Sequence, residues 1–298
     1  MNDKFGGRWT TQKLKALEEY LRTYTTALND KFDLVYIDAF AGRGGQPIED
    51  VPLLDKTLDS ETPSFAKGSV RRALELTKPF GKYYLIDSDP EACLALSSIA
   101  NSKSGLSNRV EVINADANEA LIDLVQSIDW RGQRGRQSRA VAFLDPYACQ
   151  LRFETIEMLA ATRAIDVWIL FPTMAINRML VKSGVVPEEW RPRLRSVFGV
   201  DDWGNAFYRP SRQSEMFGEA SQNEKQITPE SLEDYYGKRL GEVFAGGVLP
   251  SPLRLSNNSG GHLFALFFAC SNPNPKANVL AKRLARSAIH KANSQLTG

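Results

Sequence analysis

Four aspartates that each close a hydrophobic segment are the residues best placed to do chemistry. The segments are DLVYID, KYYLID, RVEVINAD and AVAFLD, and the aspartates are Asp38, Asp87, Asp116 and Asp145. Each segment predicts a buried strand, because apolar residues run almost continuously through it. In an open parallel sheet, ligands bind at the edge where the strands' carboxyl ends meet. A single aspartate there is usually a helix cap or turn residue, but four in series favour a ligand site.

A glycine-rich stretch, AFAGRGG, follows the first predicted strand. Gly42 and Gly44 allow positive φ angles and a close approach of the backbone to a ligand. The stretch lacks the third glycine of the dinucleotide fingerprint, and Asp87 follows far later than the acid expected about 20 residues on. These departures weigh against a nicotinamide cofactor.

An adenosine cofactor without a pyrophosphate fits the pattern better, and we expect S-adenosylmethionine. Asp87 can accept hydrogen bonds from both ribose hydroxyls, and Asp116 can accept one from the adenine amino group. The loop at Gly42 and Gly44 can lie under the amino-acid portion. The acids suit a cationic sulfonium and would repel phosphate. The predicted cofactor-binding set is Asp38, Phe40, Gly42, Gly44, Asp87 and Asp116.

The fourth strand ends in LDPYACQ, an acid followed by a proline and an aromatic residue. One interpretation is simple punctuation between a strand and the next element. The other is a pocket that holds a planar, nitrogen-bearing substrate against a cofactor. The candidate residues are Asp145, Pro146 and Tyr147.

These motifs resemble those of class I S-adenosylmethionine methyltransferases. DAFAGRG and FLDPY are similar to the motifs of the amino-methyltransferases that modify exocyclic nitrogens of bases. The resemblance implies that Asp145 and the carbonyl of Pro146 accept hydrogen bonds from the target amino group. It also implies that Tyr147 stacks on the base, as aromatic side chains do on flipped bases.

A narrower resemblance, to the three-Cys-motif partner protein family (TcmP), covers most of the chain. The stretches that carry it are GGRWTTQKLKALEEYLRTY, YIDAFAGRG, KGSVRRALEL, FLDPYACQLRFETIEMLAATRAIDVWILFPTMAINRML, FGVDDWGNAFY and HLFALFFACSNP. It implies a methyltransferase-like fold and a partner protein that carries the three cysteines. The family's usual DPYG is DPYA here, with Ala148 in the last position.

Strands and helices alternate along most of the sequence. This rhythm predicts an α/β fold with a doubly wound, mostly parallel, Rossmann-like sheet covered on both faces. The region from Thr173 to Phe244 is mostly helical in pattern and interrupts the alternation. We therefore expect a core with an amino-terminal helix over residues 1–172, a helical insertion or cap over 173–247, and completion of the sheet with a last helix over 248–298.

Composition limits the class of protein. The chain has 298 residues, is 43% hydrophobic and carries a net charge of +2, which is ordinary for a globular protein and low for a dedicated nucleic-acid binder. The three cysteines, Cys93, Cys149 and Cys270, are scattered, which predicts neither a disulfide framework nor a zinc site. With no signal peptide and no long apolar run, a cytoplasmic protein without a membrane span is expected.

The residues together predict methyl transfer to an amino nitrogen, with a nucleobase as one candidate target. Arg178 follows the fifth strand and is the candidate for substrate phosphate, although a surface arginine often has no such role. A first alternative is a non-catalytic cofactor-binding subunit that needs a partner, since the acid-proline motif has one proline where the resembled motif has two. A second is a phosphate-directed enzyme, such as a nuclease, whose acids hold magnesium.

Overall fold

The computed structural model describes residues 8–43, 68–103, 105–133, 135–210, 223–225 and 227–294. The strands in these ranges are β1 (Asp33–Asp38), β2 (Lys82–Asp87), β3 (Val110–Asn114), β4 (Ser138–Leu144), β5 (Ile165–Phe171), β6 (Tyr208–Pro210), β7 (Asn223–Lys225), β8 (Leu253–Ser256) and β9 (His262–Ala269). A seven-stranded sheet has the order β3-β2-β1-β4-β5-β9-β8, and β6 and β7 form a separate antiparallel ribbon.

The first five strands of the sheet are parallel. At one side, β9 pairs antiparallel with both β5 and β8. The chain builds β2 and β3 on one side of β1 and then reverses to place β4 and β5 on the other. Such a reversal creates the crevice in which doubly wound sheets bind ligands. The predicted doubly wound, mostly parallel sheet is confirmed.

Helices cover both faces of the sheet. They are α1 (Arg8–Leu28), α2 (Ser69–Leu74), α3 (Pro90–Asn101), α4 (Ala117–Ser127), α5 (Phe153–Ala161), α6 (Thr173–Met179), α7 (Arg191–Phe198), α8 (Gly204–Phe207), α9 (Pro229–Val243) and α10 (Pro275–Ser294). Side chains of successive strand residues alternate between faces, so β1 buries Leu34 and Tyr36 under α1 to α3 and α10. Val35 and Ile37 lie under α4, α5 and α9 on the other face.

The amino-terminal helix α1 is fixed firmly to the sheet. Its apolar residues at helical spacing, among them Leu17 and Leu21, are buried, and each such leucine contributes about 1.5–3 kcal/mol. The Tyr20 hydroxyl donates to Asp166 at 3.1 Å, and the Tyr20 ring packs edge-on against Trp168 at 5.3 Å. This anchoring carries the first turns of α1 to the carboxyl edge of the strands.

Helices α6 to α9 and the ribbon β6–β7 lie between β5 and β8 in the chain. The buried carboxylate of Glu233 on α9 accepts hydrogen bonds from Thr173 at 3.0 Å and Arg254 at 2.7 Å. The ring of Tyr236 stacks on Phe171 at 4.2 Å. These contacts tie the segment to the ends of β5 and β8. The ribbon was not predicted, because three-residue strands carry too little periodicity to be recognised.

The stretch SVRRALELTKPF predicts a single helix, but α2 ends at Leu74, because the proline at position 79 disfavours helix before it. The polar, proline-bearing stretch over residues 46–68 predicts a long loop, and it lies almost wholly outside the described residues. Within the described part of the chain, no helix combines the length and apolar character that a bilayer span requires. The three cysteines are free thiols.

Candidate functional site

The loop after β1 is hydrogen-bonded to the ends of β4 and β2, the two strands on either side of β1. The amide of Ala39 donates to the Phe143 carbonyl at 3.2 Å, and the amide of Ala41 donates to the Ile86 carbonyl at 3.0 Å. Phe143 lies two residues before Asp145, and Ile86 directly precedes Asp87. The loop therefore lies across the reversal of strand order, between the ends of β4 and β2.

Gly42 and Asp87 form the best defined part of this edge. Gly42 has φ +58°, a left-handed conformation that favours glycine, and a Cβ at this position would meet no described atom within 4 Å. Its amide donates to Oδ2 of Asp87 at 2.7 Å, while Oδ1 of Asp87 accepts from the Asp89 amide at 2.9 Å. The half-buried carboxylate is thus fixed beside an open, glycine-lined surface.

Other predicted cofactor residues flank this pair. Phe40 is half-buried and packs against the core on the α4 and α5 face. The guanidinium of Arg43 pairs with Asp89 at 3.4 Å and Glu91 at 2.5 Å, which holds the loop to the start of α3. Gly44 lies outside the described residues.

Asp116 is the amino-terminal cap of α4. Its Oδ1 accepts from the amides of Asn118 and Glu119, and the guanidinium of Arg152 lies 3.2 Å from the same oxygen. Desolvation would raise the pKa of Asp116, but these hydrogen bonds outweigh it and the pKa is lowered. The capping role is the ordinary one for an aspartate at this position. All three of these contacts use Oδ1, and the residue is exposed.

Asp38 is fully buried at the end of β1. Its Oδ2 accepts from the Tyr36 hydroxyl at 3.0 Å. Burial is the main reason that the pKa of Asp38 is raised to about 7. Hydrogen bonds from Ser69 and Tyr36 oppose the rise, the nearby carboxylate of Asp145 adds to it, and the charge of Lys13 opposes it. Asp38 therefore shapes the floor of the site and its electrostatics rather than presenting an open carboxylate to a ligand.

Asp145 forms an ion pair with Lys13 of α1. The ammonium nitrogen lies 2.5 Å from Oδ2 of Asp145, and the lysine side chain is 7% exposed against 25% for the aspartate. The same ammonium lies 5.2 Å from the ring of Trp9 and 5.9 Å from that of Phe143, within range of cation–π attraction. A buried lysine thus holds the carboxylate that the sequence marks as catalytic.

Sequence reasoning assigned Lys13 no partner. From the amino-terminal helix, Trp9 and Lys13 are predicted to cover the cofactor, with core packing and a solvated lysine as the ordinary alternative. The available signal was the position of Lys13 on the apolar face of α1, between Trp9 and Leu17 at helical spacing. A lysine on a buried helical face requires a counter-charge, but the sequence does not say which one.

The turn after Asp145 exposes an aromatic ring. Pro146 is buried, whereas Tyr147 is 41% exposed. Ala148 has φ +49°, a left-handed conformation in which an L-residue with a side chain is strained. The alanine that replaces the glycine of the resembled motif therefore keeps the glycine's backbone conformation at some cost in stability.

Arg178 is exposed in the last turn of α6. That turn lies close to the Asp145–Gln150 segment, because Sδ of Met179 is 3.9 Å from Sγ of Cys149. The structure thus places the helix of Arg178 beside the exposed tyrosine, on the ligand side of the sheet.

Within the described ranges, no group of three or more His, Cys, Asp and Glu side chains is arranged to hold a metal ion. Asp38 and Asp145 are the two acids that the metal-dependent alternative would bring together at the strand reversal. They contact Tyr36 and Lys13 respectively, and an ammonium so close to Asp145 disfavours a cation ligand role for that carboxylate.

Comparisons with known proteins identify no family. No protein-family model matches the chain, and no curated protein matches it. Membership of the TcmP family therefore stays a prediction.

Several solved structures are similar in shape. Protein LPL1258 from Legionella pneumophila str. Philadelphia 1 is 16% identical, with a TM-score of 0.46 over 95% of this chain and 93% of its own. Trm1 from Pyrococcus horikoshii, solved with S-adenosyl-L-methionine, is 11% identical, with a TM-score of 0.42 over 90% of this chain and 57% of its own. The putative methyltransferase YhhF from Escherichia coli is 17% identical, with a TM-score of 0.31 over 53% of this chain and 69% of its own. At such low identities and TM-scores, these likenesses assign no activity, cofactor or substrate to this chain.

Proposed function

We propose that the protein transfers a methyl group from S-adenosylmethionine to an amino nitrogen of a planar, base-like group. The observation that carries the proposal is the loop from Ala39 to Gly42. It bridges the strand end of Asp87, where an adenosine cofactor fits, to that of Asp145, where an amino group fits.

The residues present suit the cofactor. The backbone at Gly42 leaves room for close contact, and each oxygen of Asp87 keeps a lone pair for a ribose hydroxyl after its bond to a backbone amide. Oδ2 of Asp116 would accept from the adenine amino group. Phe40 would supply an apolar contact. When bound, the cofactor supplies an electrophilic methyl group.

The Asp145–Pro146–Tyr147 turn would hold the substrate. The Asp145 carboxylate and the Pro146 carbonyl are acceptors for the two hydrogens of an amino group, and the exposed ring of Tyr147 offers a stacking surface. Catalysis would come mainly from orientation of the nitrogen. Because Asp145 is a quarter exposed, it can also pass to water the proton that the nitrogen loses after methylation.

Lys13 would act as a positioning residue. Its bond to Oδ2 fixes the Asp145 side chain. Oδ1 would then be the acceptor for the amino group of the substrate. A carboxylate held in this way does not reorganise when the substrate binds, which lowers the cost of orienting the nitrogen.

Cofactor binding and methyl transfer test the proposal separately. Calorimetric titration with S-adenosylmethionine should give micromolar binding to the wild type and none to Asp87→Ala, with Asp123→Ala on α4 as an exposed control. Transfer of a radiolabelled methyl group to nucleobases, nucleosides and oligonucleotides should then be lost in Asp145→Asn while cofactor binding is kept. A folded wild-type protein that binds no S-adenosylmethionine would overturn the proposal.

One observation favours a second candidate, a non-catalytic cofactor-binding subunit. Asp145 already has a charged partner within the chain, as a carboxylate with a purely structural role would. The TcmP resemblance adds that a three-Cys-motif protein would be the partner. An Asp145→Asn variant that binds the cofactor and keeps full biological activity would support this candidate over methyl transfer.

A further inference from the structure

Three cations lie on the surface of the segment between β5 and β8, close to the exposed Tyr147. They are Arg178 on α6, Lys182 after it and Arg193 on α7, and all three are exposed. We name them the insertion patch.

Contacts through half-buried neighbours place these cations around the turn of Tyr147. Burial raises the pKa of the Cys149 thiol to about 11, and Arg193 lies close enough for its positive charge to oppose part of that rise. Cys149 in turn contacts Met179, which directly follows Arg178. The cations thus flank the segment that begins with Asp145 and Pro146.

Lys225 of the ribbon reinforces the positive charge of the patch. Its ammonium donates to the carbonyl and to Oδ1 of Asn177 at 2.6 and 2.7 Å, and its amide donates to the Lys182 carbonyl. Burial lowers the pKa of Lys225, and the nearby charge of Lys182 lowers it further. The two cations repel each other, and a bound anion would offset this repulsion.

The patch differs from the other arginines of α7. Arg191 is 3.4 Å from Glu188 and Arg195 is 3.0 Å from Asp201, so both are compensated within the chain. No such ion pair involves a patch residue within the described ranges. Positive charge that the described part of the chain leaves uncompensated beside a candidate active site suits a substrate that carries several negative charges.

We propose that the insertion patch binds the sugar–phosphate backbone of a single-stranded nucleic acid, so that an unstacked base reaches Tyr147 and Asp145. The inference rests on the proposed function, which needs a planar amino-bearing group at that turn. Adjacent cations and an exposed aromatic ring are the combination that holds single strands, with phosphates on the charges and bases on the ring. Charge alone would suit any polyanion, whereas the ring beside it favours a polynucleotide.

Fluorescence anisotropy with a labelled 12-nucleotide single strand, as RNA and as DNA, tests this proposal. The patch variant Arg178→Ala/Lys182→Ala/Arg193→Ala should bind at least tenfold more weakly than the wild type. The slope of log affinity against log salt should fall by about 2, since each phosphate contact on a single strand contributes about 0.7. The matched control Lys276→Ala/Arg283→Ala/Arg286→Ala removes the same charge from exposed positions on α10 and should change neither quantity.

Equal losses in both triple variants would show that only net charge matters and would overturn the proposal. So would competition by polyglutamate as effective as that by the unlabelled strand, or no binding by the wild type at 50 mM salt. S-adenosylmethionine titration of the patch variant separates the two proposals. If the wild type binds S-adenosylmethionine but not the single-stranded nucleic acid, only the patch proposal is rejected. If the wild type does not bind S-adenosylmethionine, the proposed function is rejected.

Discussion

The ammonium of Lys13 lies 2.5 Å from a carboxylate oxygen of Asp145, although the two residues are 132 positions apart in the chain. One lies on the first helix and the other at the end of the fourth strand. The lysine is nearly buried, so removal of its charge cannot be compensated by solvent as readily as at the surface. The amino-terminal helix is therefore a component of the candidate site as well as a cover for the sheet.

Replacement of Lys13 by methionine tests its positioning role. The change keeps the apolar length of the side chain and removes the charge that holds Asp145. We expect methyl transfer to fall by about 10²-fold, a typical loss for one electrostatic contact at a reacting centre, with cofactor affinity unchanged within about twofold. A fall in kcat with an unchanged KM for the substrate would show that Lys13 acts by orienting Asp145 rather than by supporting substrate binding. Lys15 is half-buried, lies two residues after Lys13 and so projects from the opposite side of α1. It supplies the control Lys15→Met, and an equal loss of activity in that variant would contradict the role of Lys13.

Asp87 and Asp116 should differ in their effects on cofactor binding and stability. Asp87→Ala removes the expected ribose acceptor, and we expect calorimetry to detect no binding. Asp116→Ala removes one contact to adenine and the cap of α4, so we expect about fivefold weaker binding and a loss of about 1 kcal/mol in the free energy of unfolding. Cofactor affinity that survives Asp87→Ala would reject the ribose assignment.

The buried carboxyl of Asp166 should make stability depend on pH. Burial raises the pKa of Asp166 to about 6, above the unfolded value of about 3.9. The folded state then favours the protonated form, so this stabilisation is full below about pH 4 and is lost as the pH rises through 6. We expect the free energy of unfolding of Asp166→Asn, relative to that of the wild type, to rise by about 1–2 kcal/mol between pH 5 and pH 8, because the amide carries no charge at either pH.

Urea titrations of both proteins at pH 5, 6.5 and 8 would show whether the difference between them grows with pH. The exposed Asp30 supplies the control Asp30→Asn, for which the difference from the wild type should stay near zero. A constant difference between Asp166→Asn and the wild type would mean that the carboxyl does not titrate in this range. Asp38, with its raised pKa, adds to the same trend in the wild type.

Ala148 should be more stable as glycine. Its φ of +49° costs an alanine about 1–2 kcal/mol, a cost that glycine avoids. Part of this gain is offset because glycine raises the conformational entropy of the unfolded chain. We expect Ala148→Gly to raise the free energy of unfolding by about 0.5–1 kcal/mol in urea titrations. The same substitution in the interior of α3, Ala95→Gly, should lower it by about 1 kcal/mol. A loss at both positions would argue against the left-handed conformation of Ala148.

Local patterns in the sequence determined the sheet and the ends of its strands. Apolar runs closed by aspartates located β1, β2 and β4, and glycine at position 42 marked the turn that needs a positive φ. These features depend on neighbours in the chain, so periodicity and turn chemistry suffice to predict them. For the same reason, the sequence predicts Ser88 or Asp89 as the cap of α3, and Asp89 is the residue that accepts from the Glu91 amide.

Tertiary packing alone decided which side chains meet. The apolar face of α1 predicts that the helix is buried, but either face of the sheet could receive it. Only the packing of α1 against α2, α10 and β8 brings Lys13 to Asp145. Packing also surrounds Asp38 so completely that its carboxyl favours the neutral form, whereas Asp116, at an equivalent strand end, stays exposed as a cap. The end of a strand depends on residues that are neighbours in the sequence. Burial and ion pairing depend on residues far apart in the chain, so the tertiary structure determines the environment of each aspartate.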